Sequence, residues 1–460
     1  MELKNIKISY IGGGSQNWAR TIMYDLAAED AISGHVSLYD IDFARAENNA
    51  VIGNRLKNID GCIGDWTYRA DKTLEESLTG ADFVFISILP GSFEDMSKDV
   101  HLPEKYGIYQ SVGDTVGLGG FSRAVRTLPM FAEFAKGIKK YCPNAWVFNY
   151  TNPMSVCTKT LTSVFPKIKV LGCCHEVFHT QTLLKDMLKA EHNIEVASRA
   201  DIKVNVLGIN HFTWFDSATY GTTDLFPLYK EFSEKYYDGY FKEQKEWWEK
   251  TYFSSGERVK FDMFKNYGLI AAAGDRHLAE FMPANWYLKD DETVEKWKFS
   301  RTPVSWRIES AKEKAQETLD IVDGKKEIEI KDSGEEGVSI MKALLGMGDL
   351  VTNANIPNIG QIENLPLGTI VETNALFRKD NIQPVFAGSL PKDLLCMVEK
   401  HANNQNGIVE AILEKNTVKL KNLFLEEPMV LSSGVSRNDA EKLYEELILN
   451  SVWYEKWLAQ

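Results

Sequence analysis

The sequence predicts an α/β protein: an N-terminal doubly wound, Rossmann-type parallel sheet, followed by a C-terminal α+β lobe. Three observations carry that expectation. Short apolar runs recur through the first 200 of 460 residues, with helical stretches between them. These runs are nearly continuous in apolar character, as strands covered on both faces must be. After about Asp201 the texture changes to aromatic and charged segments, with no internal repeat and no long linker. Hydrophobic residues at 44% and charged residues at 25% supply ample core for two lobes, drawn here as 1–200 and 201–460.

Residues 6–11 read as a buried strand, closed by Gly12-Gly13-Gly14-Ser15, and an amphipathic helix follows over 18–28. A second strand over 36–39 ends at Asp40, and 43–56 is helical. Residues 66–70 make a short strand, and 81–88 a third clear apolar run stopped by Pro90-Gly91. A long helix covers 123–141. Two more buried strands span 145–149 and 168–172, with a helix from Met154 between them. In the second lobe, 202–207 is a strand. Residues 325–331 alternate charge and isoleucine as an exposed strand would, and 338–345 are helical. Residues 353–367, rich in Asn, Gly and Pro, read as loop, and 439–458 as helix.

Charge narrows the function classes. Lys plus Arg number 52 against 65 Asp plus Glu, a formal charge of −13, which argues against nucleic acid or anionic lipid as a partner. No apolar run approaches the roughly 20 residues of a membrane span, and Met1-Glu2-Leu3-Lys4 lacks the layout of a signal peptide. The cytoplasm is therefore the expected compartment. Six cysteines in so long a chain are not a disulfide framework, and there they stay reduced.

The glycine turn opens a helix directly after a strand. Gly12 and Gly14 let backbone N–H groups approach a pyrophosphate, and Ser15 stands at the helix entry. The third glycine of the dinucleotide fingerprint is replaced. Asp40, at the end of the second strand, is positioned to bond the ribose diol of NAD and to repel an added 2′-phosphate. NAD is the expected cofactor.

Other candidates also follow strands, whose carboxyl ends are where ligands bind in such sheets. Asn152, in Thr151-Asn152-Pro153-Met154, either caps a helix or holds a sugar hydroxyl near the nicotinamide. Cys173-Cys174-His175-Glu176 puts thiol, imidazole and carboxylate in a row, a set suited to a divalent transition metal. Asn210-His211-Phe212 brings a second imidazole, which is a metal ligand or a satisfied structural group. No local spacing links Cys174 to His211. Gly274-Asp275-Arg276-His277 is either a base with a cationic clamp or an exposed helix start capped by Asp275.

Taken together the blocks resemble glycoside hydrolase family 4, the NAD- and metal-dependent glycosidases. The resemblance rests on Gly12-Gly13-Gly14-Ser15, Gly113-Asp114-Thr115, Gly119-Gly120-Phe121-Ser122-Arg123, Asn149-Tyr150-Thr151-Asn152-Pro153-Met154, Cys174-His175-Glu176-Val177, Asn210-His211-Phe212-Thr213-Trp214 and Ile362-Glu363-Asn364-Leu365-Pro366. It covers nearly the whole chain. It implies a first lobe that binds NAD and a second lobe for substrate, metal and oligomerisation. It also implies that Cys174 and His211 hold Mn²⁺ or another divalent metal. The family reaction is a redox-assisted elimination. NAD⁺ takes a hydride from sugar C3, a base removes the acidified C2 proton, the C1–O bond breaks, water adds, and the hydride returns. The resemblance assigns the base to Asp275, where other branches use a tyrosine. His175 is the candidate to assist leaving-group protonation or to shape the site, and Arg276 to hold hydroxyls or a carboxylate.

Cys174-His175-Glu176-Val177 is most similar to the α-galacturonidase branch, which makes a small unphosphorylated α-galacturonide the expected substrate. Family members are commonly homodimers or homotetramers. An α-glucosidase or α-glucuronidase of the same family is the nearest alternative. A plain NAD-dependent 2-hydroxy acid dehydrogenase of the malate or lactate type shares the fold and needs no metal, and a nucleotide sensor without turnover is a third class.

Overall fold

The computed structural model describes residues 3–241, 251–330 and 333–459. Strands β1 (Leu3–Ile11), β2 (Ile32–Tyr39), β3 (Trp66–Asp71), β4 (Phe83–Ile86), β5 (Trp146–Asn149) and β6 (Lys169–Gly172) pair in parallel. Their spatial order is 3-2-1-4-5-6, that of a doubly wound dinucleotide-binding sheet. A separate antiparallel sheet holds β7 (Ile202–Ile209), β8 (Phe212–Tyr220), β9 (Thr223–Asp224) and β10 (Ile270–Ala271). Strands β11 (Leu350–Pro357), β12 (Ile370–Arg378) and β13 (Asn381–Pro384) then return to the first sheet. β11 lies antiparallel to β6, with Asn355 opposite Gly172. The later chain thereby covers an edge that β6 would otherwise expose.

The apolar strands are buried on both faces because alternate side chains enter different cores. Phe83 and Phe85 of β4 point to the side covered by helices Trp18–Ala27 and Phe43–Leu56. Val84 and Ile86 point to the side covered by Gly117–Tyr141 and Met154–Val164. Phe85 stacks on Phe148 with centroids 4.7 Å apart and on Tyr10 at 6.0 Å. Truncating so buried a ring to alanine costs about 3–5 kcal/mol. Helix Lys392–Leu413 packs on the second of these two cores and closes it from the far end of the sequence.

Three segments differ from the sequence expectations. Residues 327–330 are irregular, and Lys331 lies outside the described residues, as do Trp247 and Trp248. Ile328 and Ile330 rest on the core as parts of a loop, so their alternation reflects one-sided packing. Residues 353–357 belong to β11. Ala354 and Ile356 enter the core, while the buried carboxamides of Asn353 and Asn355 face a polar interior rather than a turn. The long helix begins at Gly117, ahead of Arg123. Its glycines permit a close approach: a Cβ on Gly119 would lie 2.5 Å from the Gly113 carbonyl oxygen. None of the helices among the described residues is long and apolar enough to cross a membrane.

Candidate active site

The carboxyl ends of β1 and β2 build a cradle. Gly12 has φ +94, and a Cβ there would lie 2.0 Å from the Ser87 carbonyl oxygen, so only glycine fits. The N–H groups of Gly12 and Gly13 both donate to the Tyr39 carbonyl at 2.9 Å. Gly14 N–H donates to Asp40 Oδ2 at 2.9 Å, and Asn49 Nδ2 donates to the carbonyls of Gly13 and Ser15. Gly12, Gly14, Ser15 and Asp40 thus meet at the entry of helix Trp18–Ala27. A backbone without side chains, a helix N-terminus and a carboxylate one strand away suit a dinucleotide.

A second group gathers where β5, β6 and β7 end. Asn152 Nδ2 donates to Asp114 Oδ2 at 3.4 Å, while its Oδ1 is buried without a partner. The peptide bonds Asn152-Pro153 and Asn210-His211 are cis. Thr115 Oγ1 donates to Asp114 Oδ1 at 2.8 Å and lies 3.1 Å from His211 Nδ1. His211 stacks against His277 with centroids 4.0 Å apart. Burial first, then the charge of His277, pushes His211 down to about 3, so it is a neutral imidazole. Burial alone would raise Asp114, but His277, Arg123 and His211 hold it well below the usual carboxylate range.

Cys174 follows β6 and is buried. Burial, then the carboxylates of Glu372 and Glu176, push its thiol well up, against hydrogen bonds from the Glu176 backbone and the Asn210 side chain. That Asn210 contact brings Cys174 beside the His211 turn. Asn210 Nδ2 also donates to Glu372 Oε2 at 3.2 Å. Asn353 Nδ2 donates to Glu372 Oε1 at 2.8 Å and to the Cys174 carbonyl at 3.3 Å. The Oδ1 atoms of Asn210 and Asn353 are buried without partners. A thiol, a neutral imidazole, carboxylates and orphaned carbonyl oxygens are groups whose chemistry suits a divalent cation.

His175 Nδ1 lies 3.0 Å from Glu335 Oε1, and its ring stacks on Trp18 at 5.6 Å. Burial lowers its pKa, but the Glu335 hydrogen bond and the charges of Glu176 and Glu335 outweigh burial, so His175 titrates above its ordinary value. Glu176 Oε2 accepts from Gly274 N–H at 2.7 Å. Its Oε1 stands 3.9 Å from His175 Nε2 and 3.8 Å from His179 Nδ1. These three residues are the group of metal-capable side chains whose ligand atoms converge within 4.8 Å among the described residues.

Asp275 sits in a network of its own. It is fully buried, and its two oxygens accept from Val259 N–H at 3.2 Å and Lys260 N–H at 3.1 Å. It therefore caps the start of helix Arg258–Tyr267, and burial with the nearby Glu257 charge lifts it to about 7. Its hydrogen bonds lie with that helix, and the imidazole two residues on reaches the cluster instead. His277 is half-buried, and its Nδ1 atom is buried without a partner. Arg276 is also buried. It donates through Nε to the Ser300 carbonyl at 3.0 Å, and through Nη2 to the Ser111 carbonyl at 2.9 Å and to Thr302 Oγ1.

Sequence reasoning passed over Glu372, Asn353, His179 and Glu335. Two of them left a signal. Glu372 is the one charge in the buried run Ile370-Val371-Glu372-Thr373. His175-Glu176-Val177-Phe178-His179 has the His-Glu-x-x-His spacing, which puts both imidazoles on one helix face. Asn353 was masked by its loop-like composition, and Glu335 arrives from an irregular segment.

Comparison with known proteins gives the family. The model of the family 4 glycosyl hydrolases matches residues 7–190, and that of their C-terminal domain matches 206–430. An alpha-galacturonidase of Thermoanaerobacter italicus is 52% identical over 455 residues, 99% of this chain and 98% of that protein. The crystal structure of lplD from Bacillus subtilis superposes with a TM-score of 0.92 at 50% identity, over 97% of this chain and 100% of that one. A 6-phospho-alpha-glucosidase from gut microorganisms, crystallised with NAD and Mn²⁺, shares the fold with a TM-score of 0.78 at 20% identity, over 98% and 99%. With the family's two models matched over residues 7–190 and 206–430 and a relative half identical over nearly the whole chain, the chain belongs to family 4 of the glycosyl hydrolases.

Proposed function

We propose that this chain hydrolyses α-galacturonides, using NAD⁺ and a divalent metal, Mn²⁺ foremost. The observation that carries the reading is the meeting of Cys174 with the Asn210-His211 turn in an acidic chamber at the end of the nucleotide-binding sheet. The half-identity to alpha-galacturonidases supports the substrate, and the NAD- and Mn²⁺-bound fold relative supports the cofactors.

When bound, NAD⁺ takes up and returns a hydride at sugar C3, and the metal acts as a Lewis acid for the neighbouring oxygens. Gly12, Gly14 and Ser15 receive the pyrophosphate, and Asp40 holds the ribose diol. Cys174 and His211 hold the metal, and Asn152 turns its free Oδ1 toward a sugar hydroxyl. His277 takes the C2 proton, because its buried Nδ1 has no partner and its ring lies against His211. The electron pair left at C2 forms the C1=C2 bond as the C1–O bond breaks. His175, oriented by Glu335, gives a proton to the departing oxygen. Water then adds across the double bond. Arg276 holds the substrate through the edge of its guanidinium not tied to Ser300, Ser111 and Thr302.

The reading assigns NAD to residues 1–200 and self-association to 201–460, with the metal and substrate held between them by Cys174, Asn152 and His175 of the first segment and His211, Arg276 and His277 of the second. It places the protein in the cytoplasm with its cysteines reduced, and all six are free thiols. A homodimer or homotetramer is supported by Ile359, Leu367 and Phe386, which expose 73%, 76% and 64% of their surfaces.

The test mixes the protein with NAD⁺, Mn²⁺, a thiol and an aryl α-galacturonide, beside the matching α-glucuronide, α-glucoside and α-galactoside. Phenol release fastest from the galacturonide, without NADH build-up, is the expected result. NADH accumulation with a 2-hydroxy acid, or faster cleavage of a neutral glycoside, would overturn the assignment.

A further inference from the structure

A uronide brings a negative charge into a chamber already lined by Asp114, Glu176 and Glu372. A desolvated carboxylate beside other carboxylates is costly unless a cation meets it. Most cations around the chamber are already engaged. Arg126 pairs with Asp99 through both nitrogens, Arg199 with Glu336 at 3.0 Å, and Lys260 with Glu257 at 2.6 Å.

Arg123 is tied through Nε to the Asn152 carbonyl at 2.9 Å and has the Asp114 carboxylate as its main counter-charge. Two other guanidinium groups are different. Arg276 is fastened from behind by Ser300, Ser111 and Thr302, and its Nη1 makes no hydrogen bond among the described residues. Arg307, on helix Val304–Val322, makes no side-chain hydrogen bond or ion pair among the described residues. The two lie together. Their guanidinium carbons stand 5.3 Å and 6.0 Å from the Phe253 ring centroid, and Arg307 is the strongest charge acting on Arg276, ahead of Glu280 and Asp114. The helix start is fixed against the loop leading to Asp114, since Thr302 N–H donates to the Ser111 carbonyl at 3.1 Å. Phe253 leaves 56% of its surface exposed, an apolar platform for a pyranose face next to the two cations.

We propose that Arg307, together with the free edge of Arg276, receives the C6 carboxylate of the substrate and is the residue that selects a uronide over a neutral glycoside. Two like charges held side by side, neither in an ion pair among the described residues, are relieved when an anion arrives, and a guanidinium fork matches a carboxylate in shape and charge. The inference rests on the reading of the chain as an α-galacturonidase.

The experiment compares wild type, Arg307→Gln and Arg307→Lys, each loaded with NAD⁺ and Mn²⁺. Aryl α-galacturonide and aryl α-galactoside serve as substrates, and D-galacturonic acid and D-galactose as calorimetric ligands. Arg307→Gln is expected to raise the galacturonide KM by about ten- to a hundredfold and to weaken galacturonic acid binding equally, the loss of one charge-assisted pair. Its kcat, its handling of the neutral sugars and its melting temperature should stay near wild type, and Arg307→Lys should recover part of the loss. An unchanged galacturonide KM in Arg307→Gln overturns the inference, as does an equal loss for galacturonide and galactoside. Wild type that leaves the galacturonide intact sinks the substrate reading itself, and this inference with it.

Discussion

The Thr115 hydroxyl links Asp114 to His211: it donates to Asp114 Oδ1 at 2.8 Å and lies 3.1 Å from His211 Nδ1. A hydroxyl has one proton, and Thr115 has given it to the carboxylate. It can therefore only accept from His211, so the imidazole carries its proton on Nδ1 and presents a bare Nε2. A neutral ring with its far nitrogen free and its near nitrogen anchored is what a metal-binding histidine requires.

Replacing Thr115 by valine removes that anchor while keeping the shape. We expect Thr115→Val to weaken Mn²⁺ binding by about ten- to a hundredfold, measured by EPR titration of free Mn²⁺ in the presence of NAD⁺. Thr115→Ser should bind nearly as wild type. Equal Mn²⁺ affinity in all three proteins would show that the hydroxyl does not set the ring.

Two donor sets near β6 can be told apart by mutation. Cys174→Ser should abolish Mn²⁺ binding and turnover while NAD⁺ binding persists, because the cradle at Gly12–Ser15 is held by Tyr39, Asp40 and Asn49. His179→Ala should leave Mn²⁺ stoichiometry unchanged, since 64% of the His179 side chain is open to solvent and Glu176 Oε2 is committed to Gly274. The reverse pattern would move the metal to the His175, Glu176 and His179 triangle.

Asp275 and His277 make opposite forecasts. Asp275→Asn removes a carboxylate that accepts from two helix N–H groups, and loss of such a cap costs about 0.5–2 kcal/mol. The variant should melt earlier yet still exchange the C2 hydrogen of substrate with solvent deuterium. His277→Phe should keep the fold and stop the exchange. Exchange that survives in His277→Phe and disappears in Asp275→Asn would return the base to Asp275.

The sheet was legible because its physics is local. Runs such as Phe83–Ile86 must be buried on both faces, and Gly12 and Asp40 sit at strand ends where spacing alone locates them. The site was half legible. Cys174 and His211 stood out as metal-capable groups after strands, yet only folding brings Asn210 to the thiol. Asp275 was ambiguous because a carboxylate opening a helix reads alike as cap or base, and its bonds to the Val259 and Lys260 amides come from a helix that no local pattern links to it. Glu372 and Asn353 come from strands that join the sheet some 180 residues after β6, as the pairs Asn355–Gly172 and Asn353–Cys174 record. No local pattern encodes such a join.

Glu427 gives the pH forecast. It is buried, accepts from Met429 N–H at 2.6 Å and Val430 N–H at 3.3 Å, and burial lifts it to about 7. The folded protein thus keeps a proton that the unfolded chain releases near its ordinary value of 4.5. Between those values folding takes up a proton, so this contribution is complete below pH 4.5 and is lost as pH rises through 7. His401 acts in the opposite sense, because burial lowers it to about 4 and stability is lost as pH falls through that range. Comparing wild type with Glu427→Gln cancels the histidine and isolates the carboxylate. The amide oxygen can still accept from both N–H groups but never ionises. In urea unfolding, Glu427→Gln should therefore gain on wild type by about 3 kcal/mol between pH 5 and pH 8, from roughly 1.4 kcal/mol per pKa unit. A difference that stays flat across that interval would mean that Glu427 is already ionised in the folded protein at pH 5.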